Sequence, residues 1–296
     1  MDFNHLAPSV LEKMTLSDAE RIDSIDSPFW VDYSAGSRLI DHLASLLRVV
    51  PQTRMPNLFI VGDSNYGKST LFQRFRDTRG CPYVSSNLEP VIPVVLIELD
   101  TGGPAQLYRS ILHQIGAPYS RASPLAAVKE QCAEVVRDVG TRMLIIDECQ
   151  VLNFASARAK ADVMNEIKWI CNQLRLVVVC AGVKTILQLL NIDAQYASRF
   201  DVIDLLPWEL DGKFQAFLKK YETALPLRKP SLLYSEESTV LIHDISGGLT
   251  GNVGKLLKEC AKEAIRTGSE KIDMSLLKKN EWIKPNKQSG NRVIQY

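Results

Sequence analysis

Five short runs of apolar residues punctuate the middle of this chain. They are Leu58-Phe59-Ile60-Val61, Val94-Val95-Leu96-Ile97-Glu98-Leu99, Met143-Leu144-Ile145-Ile146, Leu176-Val177-Val178-Val179-Cys180 and Val202-Ile203-Asp204-Leu205-Leu206. Such runs predict strands covered on both faces. Between them the apolar positions recur at helical spacing. Over 37–50 they are Leu39, Ile40, Leu43, Leu46, Leu47 and Val50, and over 124–138 Leu125, Val128, Cys132, Val135 and Val136 share one face. Further helices are predicted at about 104–115, 157–173 and 183–190. Strands alternating with helices predict an α/β fold, a five-stranded parallel sheet sandwiched by helices and joined by right-handed crossovers. Residues 1–35 are polar until Pro28-Phe29-Trp30 and read as an N-terminal extension; 36–208 form the α/β domain, 209–281 a small helical subdomain, and 282–296, Trp282 to Tyr296, a polar basic tail.

The first run leads into Gly62-Asp63-Ser64-Asn65-Tyr66-Gly67-Lys68-Ser69-Thr70, which opens a helical segment. This is GxxxxGK[ST] in its strand–loop–helix setting, the P-loop. Successive backbone N–H groups and a helix N-terminus make an anion nest. Gly62 and Gly67 are expected to take conformations that a Cβ would obstruct. Lys68 can reach the β- and γ-phosphates of a nucleoside triphosphate, and the Ser69 hydroxyl can ligate Mg²⁺.

The third run ends in Asp147-Glu148. An acid at that strand end can hold Mg²⁺, the Walker B role, and the neighbouring Glu148 can polarise a water for attack on the γ-phosphate. A hydrolysing ATPase needs that second acid; a small-molecule kinase does not. A complete β–α unit at about 93–138 precedes Asp147, and its strand is expected between the P-loop strand and the Walker B strand. The fourth run closes on Cys180-Ala181-Gly182, where a γ-phosphate-sensing side chain is expected and only a weak thiol is offered. Arg199, in Ala197-Ser198-Arg199-Phe200, stands where an arginine finger can reach a neighbouring subunit's nucleotide, which would require an oligomer.

The chain has 296 residues and a net charge of +1, so bulk charge points to no nucleic-acid partner. The charge is uneven: residues 1–35 carry seven acids and two bases, and residues 251–296 carry ten bases and five acids. Head-to-tail self-association or separate partners would use that asymmetry; an unbalanced solvated surface would equally produce it. The six cysteines have no metal-ligand or disulfide spacing and read as reduced, mostly buried small hydrophobes. No apolar run approaches the ~20 residues of a membrane helix, and the acidic N-terminus does not resemble a signal peptide; a cytoplasmic location without membrane contact is expected.

These blocks together resemble an AAA+ ATPase, and more narrowly the TniB/TnsC transposition regulators. The resemblance rests on Arg54 to Thr70, Leu144 to Glu148, Ala181-Gly182 and Ser198-Arg199-Phe200 in order and spacing, and covers about residues 20–260. It implies ATP and Mg²⁺ as cofactors, with Gly62 to Thr70 around the nucleotide, Ser69 and Asp147 on Mg²⁺, and Lys68, Glu148 and a neighbour's Arg199 in catalysis. The helical subdomain is then a lid. It also implies partners: double-stranded DNA, further copies of the chain in a ring or helical filament, a DDE transposase and a target-selection protein, with hydrolysis as a disassembly switch. Loops facing the channel of such assemblies nominate Thr101, Arg121, Arg158 and Lys160 for DNA. Gly254 stands where a sensor-2 Arg is expected, with Lys255 beside it, and the sensor-1 position lacks an amide; both imply slow hydrolysis. A helicase-loader or initiator-like ATPase, or a signalling ATPase acting through protein partners, remains an alternative on the same motifs.

Overall fold

A computed structural model describes residues 3–100, 103–191 and 198–280. Thr101 and the tail from Trp282 to Tyr296 lie outside the described residues. Contacts divide the chain into two compact units. One comprises the described parts of Arg38–Ser64 and Lys68–Leu205; the other comprises those of Met1–Ser37, Asn65–Gly67 and Leu206–Tyr296.

The first unit is built on β1 (Asn57–Val61), β4 (Val94–Glu98), β5 (Met143–Asp147), β6 (Val177–Gly182) and β7 (Phe200–Asp204), all parallel, in the order β4-β5-β6-β1-β7. The apolar runs became strands because helices cover both faces. Every residue of β1, β5 and β6 is buried, whereas the edge strands β4 and β7 each expose residues. Helices α3 (Ser34–Leu47), α4 (Lys68–Arg79), α5 (Gly103–Ile115), α6 (Leu125–Asp138) and α7 (Ala157–Trp169) follow the expected segments closely. The core joins Phe59, Ile97, Leu107, Leu112, Leu144, Ile146 and Ile167.

Strand order differs from expectation. The strand between β1 and β5 is β6, which follows Asp147 in the chain, while β4 is displaced to the edge. Leu58 pairs with Val179 and Ile145 with the same Val179, so β6 bridges the two motif-bearing strands. Two further departures are local. The helix expected over 157–173 is α-helical only to Trp169 and widens into a π-turn at Ile170–Leu174, and 183–190 forms a 3-10 helix, Lys184–Asn191. A small antiparallel hairpin, β2 (Tyr83–Val84) with β3 (Pro90–Val91), was not legible as alternation in so few residues.

The second unit is helical. Besides α1 (Pro8–Leu11) and α2 (Asp18–Asp26), it contains α8 (Gly212–Thr223), α9 (Glu236–Ser246), α10 (Thr250–Arg266) and α11 (Met274–Lys279). Its core gathers Phe214, Phe217, Leu218, Ile242, Leu256 and Leu257 together with Ile25 of α2. The polar head of the chain is therefore folded. A capping box starts α2: the Glu20 N–H donates to Ser17 Oγ at 3.4 Å, and the Ser17 N–H donates to the Glu20 carboxylate at 2.9 Å. That Ser-x-x-Glu signal, followed by Ile22 and Ile25, is present in the sequence.

Charged groups of head and tail pair inside one chain. Arg21, fully buried, pairs with Glu270 at 2.5 Å and 3.0 Å and with Asp18 at 2.8 Å, while Lys262 reaches Asp26 at 2.5 Å. Of these pairs only Lys262–Asp26 joins an acid of the head to a base of the tail; Arg21–Glu270 runs the other way. Burial alone would raise the Glu270 carboxyl, but hydrogen bonds from Arg21 and the Arg228 N–H, with both positive charges, bring it net below its usual value. Breaking a buried pair strands the remaining charge, so Arg21→Ala is expected to lower the unfolding free energy of this unit by about 3–5 kcal/mol. A depressed carboxyl stabilises the fold above its unfolded value of about 4.3, and that contribution disappears as pH falls through the lower native value. Urea unfolding at pH 7 and pH 3 checks both: the gap between wild type and Arg21→Ala should narrow at the acid end.

Candidate functional site

The carboxyl ends of the central strands converge. Val61 pairs with Gly182 in β6, and the Gly62 N–H donates to the Gly182 carbonyl at 3.1 Å, so the loop after β1 starts against the end of β6. Crevices at such strand ends are where open α/β sheets bind ligands. The loop then bends through Asn65 (φ 69°) and Gly67 (φ 84°), both left-handed, before α4 begins at Lys68. Gly67 fulfils the expectation for glycine, but Gly62 is not left-handed; Asn65, among the residues that tolerate this region best, takes the other positive φ. Asp63, Ser64 and Asn65 are exposed, as are Ser69 and Thr70, and Tyr66 is half-buried.

Lys68 is 8 % exposed, and its ammonium donates to the carbonyls of Gly62 at 2.7 Å and Asp63 at 3.0 Å. Burial lowers its pKa, opposed by the charges of Asp147, Glu148 and Asp63. Phosphate oxygens are better partners for a buried ammonium than two loop carbonyls, since they bring the compensating charge.

The Ser69 hydroxyl donates to Asp147 Oδ2 at 2.6 Å, joining the two motifs across 78 positions of sequence. Asp147 is 2 % exposed, and its Oδ1 accepts the Glu148 N–H at 2.8 Å. Glu148 takes a left-handed conformation (φ 59°), which turns the chain sharply from β5 into the 3-10 helix Cys149–Phe154 and leaves the Glu148 side chain exposed. A non-glycine residue held there carries strain of order 1–3 kcal/mol, the kind found at working sites. A hydroxyl and a carboxylate are hard oxygen donors. They suit Mg²⁺, which takes one or two protein oxygens and completes its shell with water and phosphate. Among the described residues no group of three or more His, Cys, Asp or Glu could hold a metal by itself.

Cys180, at the expected sensor strand, is buried, and its hydrogen bond with Cys149 together with burial pushes the thiol well up. It packs as a small hydrophobe. All six cysteines are free, and only Cys81 is exposed.

Arg199 is half-buried; its guanidinium donates to Asn172 Oδ1, on the π-turn after α7, and Arg54 donates to the neighbouring Ser198 carbonyl. Arg158 and Lys160 both lie in the first turn of α7 but two positions apart, so they do not face one way. Arg158 is 93 % exposed in its side chain and 4.0 Å from Asp162; Arg121 is exposed on the separate loop between α5 and α6. The structure thus gathers Lys68, Ser69, Asp147 and Glu148 and does not gather the three described DNA candidates. Two features escaped sequence reading. Gln150 reaches back to Glu148, and Phe154 is 89 % exposed beside α7. A polar residue inside Cys149-Gln150-Val151-Leu152 was the available signal for the first.

A family profile described as "Bacterial TniB protein" matches residues 21–210. The chain belongs to the TniB family. No curated protein matches this TniB-family chain. Among solved structures, it is similar to the Aeropyrum pernix ORC2 protein in its ADPNP–ADP complexes, at 16 % identity and a TM-score of 0.66, covering 88 % of this chain and 70 % of that one. It is also similar to Cdc6p from Pyrobaculum aerophilum, at 18 % identity and a TM-score of 0.61, covering 84 % and 68 %. A third is the Aeropyrum pernix ORC1 protein in complex with DNA, at 16 % identity and a TM-score of 0.58, covering 86 % and 65 %. At such identities the likeness establishes the fold, that of P-loop AAA+ proteins. No helix among the described residues is long and apolar enough to cross a membrane.

Proposed function

We propose that this TniB-family protein is an ATP-dependent regulator of DNA transposition. In the ATP state it assembles on double-stranded target DNA and presents that DNA to a DDE transposase under a target-selection protein; hydrolysis dismantles the assembly. The observation that carries the ATPase part is the Ser69–Asp147 hydrogen bond at 2.6 Å with Glu148 immediately beyond it. Family membership over residues 21–210 supports the transposition part.

In this reading the N–H groups of Gly62 to Thr70 and the Lys68 ammonium hold the phosphates. Ser69 and Asp147 hold Mg²⁺, which when bound neutralises charge on the phosphates. Glu148 takes a proton from the attacking water, and Arg199 of an adjacent copy stabilises the charge that develops. Residues 209–281 serve as the lid. Arg121, Arg158 and Lys160 contribute phosphate contacts, repeated around an oligomer; Thr101 is proposed beside them. Such contacts are sequence-tolerant and salt-sensitive.

A second reading, an initiator-like ATPase that hands a protein partner to DNA, is favoured by the likeness to ORC and Cdc6 structures. Electron microscopy of the purified protein with random-sequence duplex DNA, with and without ATP, checks the first reading. It predicts ATP-dependent oligomers tracking the duplex, lost in Lys68→Ala and dissolved by raised salt. Particles that bind nucleotide yet never accumulate on duplex DNA would refute it.

A further inference from the structure

The end of β6 offers no polar side chain to the nucleotide site: Cys180 is engaged with Cys149, Ala181 is apolar and Gly182 has no side chain. The space over Gly182 is nonetheless filled. A Cβ added there would lie 2.5 Å from Gln150 Oε1 and 3.2 Å from the Gln150 backbone nitrogen. The Gln150 carboxamide therefore occupies the position that a side chain at 182 would take, at the strand end against which Gly62 is hydrogen-bonded. Its Nε2 donates to Glu148 Oε2. Its Oε1 is buried with no hydrogen-bond partner among the described residues. Buried carbonyl oxygens nearly always have a partner, and one without needs an explanation in strain or function.

We propose that Gln150 is a positioning residue for hydrolysis. It supplies, from the β5 side, the amide that β6 lacks, and Gly182 is the notch that admits it. Gln150 Nε2 fixes the Glu148 carboxylate, and the unpartnered Oε1, buried against Gly182, is the strain that holding the carboxamide there entails. In the step it serves, the water oxygen bonds to the γ-phosphorus as the bond from that phosphorus to the β,γ-bridging oxygen breaks. One water proton passes to Glu148, the other stays with the phosphate product, and the electron pair leaves on the β-phosphate of ADP. The inference rests on the ATPase reading above.

Full-length protein carrying Gln150→Ala, Gln150→Glu or Gly182→Ala tests it by steady-state ATP hydrolysis on duplex DNA, ATP titration and thermal melting. The first two should lower kcat roughly 10²-fold, the scale for losing one positioned hydrogen-bonding group, with KM and nucleotide affinity within about twofold and an unchanged melting temperature. Gly182→Ala should shift kcat the same way by pushing the carboxamide aside. In a Glu148→Gln background, Gln150→Ala should add less than about twofold, because it acts through Glu148. Wild-type kcat in Gln150→Ala, or its full loss added on top of Glu148→Gln, would overturn the proposal. No turnover in the wild type would overturn the ATPase reading and this inference together, whereas wild-type turnover that persists undiminished in the Gln150 variants overturns this inference alone.

Discussion

Arg199→Ala is expected to leave the monomer's affinity for ATP within about twofold while lowering hydrolysis by the DNA-bound assembly about 10³–10⁵-fold, the range for arginine fingers. In its own subunit the guanidinium is spoken for: it donates to Asn172 on the π-turn Ile170–Leu174, while Arg54 and Asn57 hold the backbone carbonyls of Ser198 and Arg199. Those bonds present the group on a rigid mount. In the proposed assembly the finger acts on the neighbour's γ-phosphate, so its loss touches turnover and not single-chain binding. Mixing experiments separate the cases. Arg199→Ala chains combined with Lys68→Ala chains should recover hydrolysis at shared interfaces, the first supplying the nucleotide site and the second the finger. A large drop in monomer affinity, or no recovery on mixing, would place Arg199 outside that role.

Glu148→Gln should retain ATP and DNA binding and lose about 10²–10⁴-fold in hydrolysis, the usual contribution of a general base. Glutamine preserves the shape and cannot take the proton. The left-handed backbone at 148 and the Glu148 N–H bond to Asp147 do not depend on the side chain, so the mount should survive. On DNA the variant should form long-lived assemblies, read as slow dissociation after ATP is diluted. Phosphate release at the wild-type rate would remove Glu148 from the chemistry.

The proposed nucleotide cradle was legible because its chemistry is local. A P-loop places Lys68 and Ser69 within one loop and one helical turn, and the anion nest is made of consecutive N–H groups. Strands β1, β5 and β6 were legible because burial on both faces demands unbroken apolar runs. Helix α2 was missed although its capping box is in the sequence, since its apolar face is only Ile22 and Ile25 among acids. Two acids of the head, Asp18 and Asp26, have partners in Arg228 and Lys262, residues from the far end of the chain that no local pattern connects.

Local covalent order therefore decided which residues can cradle phosphate, which segments become strands, and that a second acid follows Asp147. Strand neighbours are chosen by packing and crossover geometry, which leave no mark on hydrophobic periodicity. Only the folded chain put β6 between β1 and β5, and with it Gly182 opposite Gln150. Only the fold closed the 78-residue gap between Ser69 and Asp147 to a 2.6 Å hydrogen bond. The amide missing from β6 in the sequence is supplied, in three dimensions, two residues beyond Glu148.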